Sequence, residues 1–286
     1  MKIVILRGGA TRRRRQDGRP AGAGSTRERG VMALGNGSGR WVLVNMSPAV
    51  AHQLDSDPRL DSHPGLADPE VRAVVLTDAQ VDHVGGLLSL RDGAPIDLYA
   101  TPAVFEQLTT ALPVLPVLQH YCGVHWHVVP VAGDRRVASF RVDGLPTLEF
   151  TALATRCPAP PHLAQGGEGP GVGDSIALAV RDLATGQRVF CAPGLAQIGA
   201  TEFEWMREAD CLLLDNPLPE LGTGSGFDGS DQAPGAHAEA QRWLDLLRSL
   251  PARHKVLFGQ TPAGAGGRDW AAQGIALAYD GMEIEL

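Results

Sequence analysis

Residues 72–86 read RAVVLTDAQVDHVGG and contain an abrupt change from apolar to polar sequence. The run at residues 74–76, VVL, is apolar and β-branched, which is typical of a strand buried inside a sheet. Two carboxylates, a glutamine and a histidine follow within residues 78–83. Such a loop after a buried strand is either a ligand site or an ordinary polar turn, in which Asp78 and Asp82 cap a helix that begins near His83.

Similar apolar runs recur along the whole chain, and most of them are bounded by Gly, Pro, Asp or Asn. Each has the length of a strand. Helical patterns follow Thr101, Ala200 and Ala236, and the last has a continuous apolar face. More strands than helices, with strand–helix alternation late in the chain, predict an α/β fold of two sheets flanked by helices. The predicted strands are KIVIL, WVLVN, AVVLT, IDLYA, VHWHVV, TLEFTAL, SIALAV, RVFCA, CLLLD, KVLFG and IALAY.

The composition limits the classes of function that are open to the chain. Its 286 residues are 44% hydrophobic and 20% charged, which is typical of a globular protein with a sizeable core. The net charge of -7 gives no electrostatic reason to expect nucleic acid as a partner. No apolar run approaches the length of a membrane span, and the N-terminus lacks the pattern of a secretory signal, so we expect a cytoplasmic protein.

The sequence shows no internal repeat and no linker, so we expect one domain over residues 1–286. Residues 8–30 form an atypical Arg- and Gly-rich stretch, and residues 220–236 are rich in Gly, Ser and Asp; both predict surface loops. The arginine-rich stretch is also what a local frameshift in a GC-rich gene would produce from glycine codons. The four cysteines are scattered without a CxxC pair, which predicts buried free thiols rather than disulfides or a thiolate metal site.

A second carboxylate follows another predicted strand. Asp215 ends the run CLLLD, and side chains at strand ends project from the edge of a sheet, where a site can form. One histidine and two aspartates are a reasonable partial set of ligands for a divalent metal. From spacing alone, the helix-capping alternative remains open for Asp78 and Asp82.

Several longer stretches resemble, in order and spacing, the family of coenzyme PQQ (pyrroloquinoline quinone) synthesis protein B, which belongs to the metallo-β-lactamase superfamily. The resemblance covers most of residues 31–286 and implies an αββα metallo-β-lactamase-like sandwich, with two mixed sheets flanked by helices and the site at the sheet edges. The stretches are WVLVNMSPAVAHQL, LTDAQVDHVGGLLSLRDG, GDSIALAVRD, FCAPGLAQIGATEFEWMREADCLLLDN and the terminal ALAYDGMEIEL.

The superfamily's metal loop has the form H-x-H-x-D-H, and the matching positions here are Asp78, Gln80, Asp82 and His83. The resemblance implies that the first metal position is lost or altered, whereas a second position keeps Asp82 and His83. Asp215 matches the superfamily's bridging carboxylate. We therefore predict one divalent metal, Fe(II) favoured and Zn²⁺ possible, with Asp82, His83, Asp215 and Asp78 as ligands.

Three further positions are compared with the family pattern. A histidine expected after the run KVLF is replaced by Gly259, so the ligand from the last strand is absent. His237 matches a Gly-His position, where it either donates a proton during catalysis or simply faces water at the start of a helix. Asp174 precedes the strand SIALAV and is predicted either to contact the cofactor or substrate or to cap a turn.

The resemblance implies a part in PQQ biosynthesis, with PQQ or its peptide-derived precursor as the partner. The first hypothesis is an iron-dependent oxidation or hydroxylation of a glutamate–tyrosine precursor at Asp82, His83 and Asp215. The alternative is a non-catalytic protein that binds or carries PQQ or its precursor; transport of PQQ to the periplasm is a role also linked to the family. A metal-dependent hydrolase ranks last, because Asp78 and Gln80 replace the histidines that activate water in this fold.

Overall fold

A computed structural model describes residues 1–9, 30–57, 60, 62–63, 65–66, 73–157, 160, 171–195, 198–215, 234–259 and 270–286. Two seven-stranded sheets pack face to face, and helices cover their outer faces. The predicted αββα sandwich is therefore confirmed. The assignment of residues 1–286 to one domain stays a prediction, and residues 10–29 of the Arg-rich stretch lie outside the described residues.

The first sheet has the strand order β14-β1-β2-β3-β4-β5-β6. Strands β14, β1, β2 and β3 pair antiparallel, whereas β3 to β6 run parallel. The bounds are β1 Lys2–Arg7, β2 Val31–Gly35, β3 Trp41–Val44, β4 Ala73–Val75, β5 Ile96–Ala100, β6 Val124–Val128 and β14 Met282–Glu285.

The second sheet has the strand order β13-β12-β11-β10-β9-β8-β7. Strands β7 to β10 form an antiparallel meander, and β10 to β13 run parallel. The bounds are β7 Val137–Arg141, β8 Leu148–Ala154, β9 Ile176–Asp182, β10 Arg188–Ala192, β11 Cys211–Asp215, β12 His254–Phe258 and β13 Ala276–Leu277.

The described helices connect the parallel strands, as the long crossovers of parallel pairs require. The three predicted helices form α3, α5 and α6, and a short helix at the predicted place near His83 forms α2. None of the helices in the described ranges is long and apolar enough to cross a membrane. The bounds are α1 Pro48–Ser56, α2 Val81–Val84, α3 Pro102–Thr109, α4 Val114–Gln119, α5 Ala200–Arg207 and α6 Pro234–Ser249.

Strand periodicity divides the core into three layers. In β1, Ile3 and Ile5 lie between the two sheets, while Val4 and Leu6 pack against the helices on the outer face. Alternate side chains of a strand point to opposite faces, and both faces here are buried, so the strands are apolar throughout. Of the four cysteines, Cys191 and Cys211 are buried as predicted, whereas the other two are partly exposed.

The two sheets meet at one edge through backbone contacts. Residue Thr77, just after β4, accepts a hydrogen bond from the backbone N–H of Ile176 in β9 at 2.8 Å. Asp78 and Ser175 form an isolated antiparallel bridge between the same two segments. The carboxyl end of β4 in one sheet is thus joined to the start of β9 in the other, and the polar loop predicted from the sequence lies at this junction.

Candidate functional site at the sheet edge

The centre of the site is a buried pair formed by Asp78 and His83. Both carboxylate oxygens of Asp78 face Nδ1 of His83, at 2.7 Å and 2.9 Å. Since an ionised carboxylate can only accept, Nδ1 of His83 carries the hydrogen and donates it. This leaves Nε2 of His83 as the nitrogen able to bind a metal or accept a proton.

The carboxylate of Asp78 accepts further hydrogen bonds from its own loop. The backbone N–H of Gln80 donates to it at 2.9 Å, and the hydroxyl of Thr77 at 3.1 Å. Burial by itself raises the pKa of the Asp78 carboxyl, but the charge and hydrogen bond of His83, with these two donors, hold that pKa below its ordinary value. The bond from Gln80 closes a turn just before α2. The N-cap residue of α2 is Gln80 itself, without a side-chain capping bond, so neither Asp78 nor Asp82 caps this helix.

Asn45, which the sequence analysis did not single out, joins three segments at this edge. Its side-chain amide donates to the backbone oxygen of Gly30 at 3.1 Å and to the hydroxyl of Thr77 at 3.0 Å. Its side-chain oxygen accepts the backbone N–H of Thr77 at 3.0 Å. Asn45 is fully buried and has a φ of 62°, a left-handed conformation that asparagine adopts more readily than most residues. The visible signal in the sequence is an asparagine at the end of a buried strand.

A close approach at Gly30 connects His83 with the second sheet. A Cβ on Gly30 would lie 2.5 Å from Cβ of Pro193 and 3.5 Å from Nε2 of His83, and φ at this glycine is +74°. Pro193 follows β10, and the backbone N–H of the next residue, Gly194, donates to the carboxylate of Asp215 at 2.7 Å. His83 and Asp215 are therefore connected, through Gly30, Pro193 and Gly194, at one edge of the sandwich.

The Gly85-Gly86 pair has a steric explanation. The backbone of Gly86 packs against Ser47, where a Cβ on the glycine would lie 2.2 Å from the Ser47 carbonyl oxygen. The N–H of Gly86 donates to the Met46 oxygen at 2.9 Å, and Met46 in turn donates to the His83 oxygen at 2.6 Å. This close packing fixes the backbone that carries His83 against the start of α1.

Other predicted site residues have different surroundings. Asp82 lies half-buried in α2, and no group in the described ranges donates a hydrogen bond to it. Asp174 accepts hydrogen bonds from the side chain of Gln107 at 2.8 Å and from the backbone N–H of Gly171. These contacts match the turn-capping alternative, and the binding role of Asp174 stays a prediction. His237 lies in α6, but its side chain is outside the described part of the chain.

The side chains at this edge include the atom types that bind divalent metals. His83 offers an imidazole nitrogen, and Asp82 and Asp215 offer carboxylates, which are ligand types of both Zn²⁺ and Fe(II). Across the described ranges, however, no three His, Cys, Asp or Glu side chains come close enough to hold one ion. Gly259 follows Phe258, which lies in register with Asp215 on the neighbouring strand, but a glycine adds no side-chain ligand there. The described residues therefore do not by themselves complete a metal site.

Comparisons with known proteins identify the family. Residues 40–259 match the model of the beta-lactamase superfamily domain. A coenzyme PQQ synthesis protein B from Azotobacter vinelandii is 35% identical over 276 residues, which cover 91% of this chain and 88% of that protein. The chain belongs to the coenzyme PQQ synthesis protein B family. The protein B of Pseudomonas aeruginosa PAO1 is also 35% identical, over 92% of this chain and 90% of its own length.

Two solved structures share the sandwich fold of this chain. The Zn²⁺-bound PqqB of Methylobacterium extorquens has a TM-score of 0.71 and 22% identity, and the match covers 100% of both chains. A diphosphatase of the PhnP family has a TM-score of 0.61 at 17% identity, covering 100% of this chain and 97% of that one. At these identities the likeness shows the shared sandwich fold alone.

Proposed function

We propose that this PQQ synthesis protein acts on a peptide-derived glutamate–tyrosine precursor by a metal-dependent oxidation or hydroxylation at the sheet edge. The single observation that carries the proposal is the buried His83, whose Nδ1 is bonded to Asp78 at 2.7 Å and whose Nε2 lies on the side of Gly30 and Pro193. Membership of the family supplies the pathway. His83 supplies an imidazole nitrogen, Nε2, that can bind the metal.

His83, together with the carboxylate of Asp215 or Asp82, would hold the metal, for which Fe(II) is favoured and Zn²⁺ is possible. Because no three described side chains come close enough to hold one ion, donors from outside the described ranges would complete the set of ligands. A bound Fe(II) would supply the site at which O₂ binds and is activated as the oxidant. Loss of hydrogen from the substrate would pass two electrons to O₂, and a hydroxylation would take two further electrons from an added reductant. Asp78 then acts through His83: its carboxylate fixes the ring orientation and the tautomer, as the outer partners of metal-bound histidines commonly do. The N–H of Gly194 orients the carboxylate of Asp215 in the same way.

The test is a product assay on the iron-loaded protein. The glutamate–tyrosine compound is incubated with protein and air, and mass spectrometry measures whether it gains oxygen or loses hydrogen. We expect product from the wild type, none from His83→Ala, and a reduced yield from Asp78→Asn, which keeps the shape of the carboxylate without its charge. A suitable control is His127→Ala. His127 lies on β6, and its Nε2 also bonds a carboxylate, that of Asp97, at 2.9 Å. Equal product from the wild type and His83→Ala would refute the proposal.

A second candidate is a non-catalytic protein that binds PQQ or its precursor. Gly259 in place of a last-strand histidine favours it, as does the absence of three clustered donors from the described ranges. Each lost ligand weakens metal binding. Metal-free wild-type protein that binds PQQ, and that gives no product when iron is added, would favour this candidate over the oxidation.

A further inference from the structure

A cleft that does not include Asp78 or His83 lies between the end of β8 and the first turn of α5. Its volume is about 290 Å³. Arg136 and Arg156 line it beside apolar side chains of β7 and β8, and the segment Ile198–Glu202 forms another part of the wall. This volume is near the lower end of the range of about 300–1,000 Å³ for small-molecule sites, so the cleft suits one end of a ligand.

The two arginines of the cleft have no carboxylate partner in the described part of the chain. Elsewhere, by contrast, Arg7 pairs with Asp280 at 2.8 Å and Arg207 with Glu204 at 2.6 Å. The carboxylate in the cleft lining, that of Glu202, lies over the start of its own helix, where its oxygen would be 2.6 Å from a Cβ on Gly199. Among the described residues, the cleft thus holds two guanidinium groups without an ion-pair partner, in a protein whose net charge is -7.

The residues before and after Arg156 in the chain both contact segments of the candidate site. The residue before it, Thr155, donates its backbone N–H to Ser175 at 3.0 Å, and Ser175 forms the bridge with Asp78. The residue after it, Cys157, has its sulfur 3.0 Å from the place of a Cβ on Gly194. Since Gly194 donates to Asp215, both chain neighbours of Arg156 belong to segments that contact the sheet edge.

We propose that Arg136 and Arg156 form a carboxylate-binding subsite that holds one end of the PQQ-related ligand, an inference that rests on the proposed function. PQQ is a tricarboxylate, and a glutamate–tyrosine precursor also carries several carboxylates. Guanidinium groups bind carboxylates by paired, charge-assisted hydrogen bonds, and neither arginine has to give up an ion pair with any residue that the structure describes. The subsite therefore fixes which end of the ligand lies towards His83.

The test measures binding of PQQ and of its trimethyl ester by fluorescence titration. We expect Arg156→Ala and Arg136→Ala each to weaken PQQ binding by about tenfold or more, the loss typical of a hydrogen bond to a charged group. The ester, which lacks the charges, should bind the variants and the wild type alike. Arg135→Ala is the matched control, because Arg135 is exposed, as Arg136 and Arg156 are, and is adjacent in sequence to Arg136, but is not part of the cleft lining.

The possible outcomes separate this subsite from the proposed function. If the wild type binds PQQ and neither cleft variant weakens that binding, the subsite is wrong and the proposed function stands. If Arg135→Ala weakens binding as much as Arg136→Ala, the effect is a general one of surface charge, and the subsite is again refuted. If the wild type binds no PQQ, the subsite is refuted, and the product assay on the glutamate–tyrosine compound decides the proposed function separately. Iron content should be equal in all the arginine variants, because none of these residues is a metal ligand.

Discussion

Replacement of Asn45 tests how the site is held together. Asn45→Gly keeps the left-handed backbone but removes the side-chain bonds to Gly30 and Thr77. Two buried groups then lose their partners, the backbone N–H of Thr77 and the carbonyl of Gly30. A buried polar group without a partner costs about 1–3 kcal/mol, so we expect the free energy of unfolding to fall by about 2–6 kcal/mol.

Asn45→Ala should destabilise the protein further. It loses the same hydrogen bonds, and it also forces an alanine into a φ of 62°, which adds about 1–2 kcal/mol. Denaturant unfolding, followed by circular dichroism, measures both differences. The reasoning is refuted if both variants lose less than about 1 kcal/mol, or if alanine is tolerated as well as glycine.

Two further predictions concern steric contact and ionisation. Gly30→Ala should lower stability and iron binding more than Gly37→Ala. A Cβ at Gly30 would lie 2.5 Å from Cβ of Pro193, whereas a Cβ at Gly37, which has a similar φ of +83°, would have nothing within 4 Å. Equal effects would rule out the contact with Pro193 as the cause. Burial raises the pKa of Cys211 to about 12 from 9.0, so the unfolded thiol ionises first, and stability should fall as pH rises from 9 towards 12. Urea unfolding between pH 8 and 11 measures this fall, which should be smaller in Cys211→Ala; an identical pH dependence would contradict the assignment.

The fold was largely predictable from local sequence. Every apolar run identified as a strand forms one. Most of these strands are buried on both faces and are therefore apolar throughout, whereas β6 is partly exposed along its whole length. Three strands were not predicted: β2 is rich in small residues, β7 alternates exposed and buried positions over only five residues, and β14 contains two glutamates. Helices α1 and α4 were also missed.

The site was predictable only in part. The loop of Asp78 and His83 and the end of β11 at Asp215 could be placed at a sheet edge from their positions after strands. The pairing of Asp78 with His83 and the role of Asn45 depend on contacts made in three dimensions. Gly30, which Asn45 binds, is 15 residues away, and Thr77 is 32 residues away. No local pattern encodes such contacts.

The metal content of the protein tests the central claim, that His83 is the imidazole of a working site, most directly. After anaerobic reconstitution and desalting, the account predicts close to one Fe(II) per chain for the wild type and for His127→Ala, and no retained iron for His83→Ala. His127 is the appropriate comparison, because it too is bonded to an aspartate but lies on β6. Iron binding that is equally weak in the wild type and His83→Ala, or equally strong in both, would contradict the account.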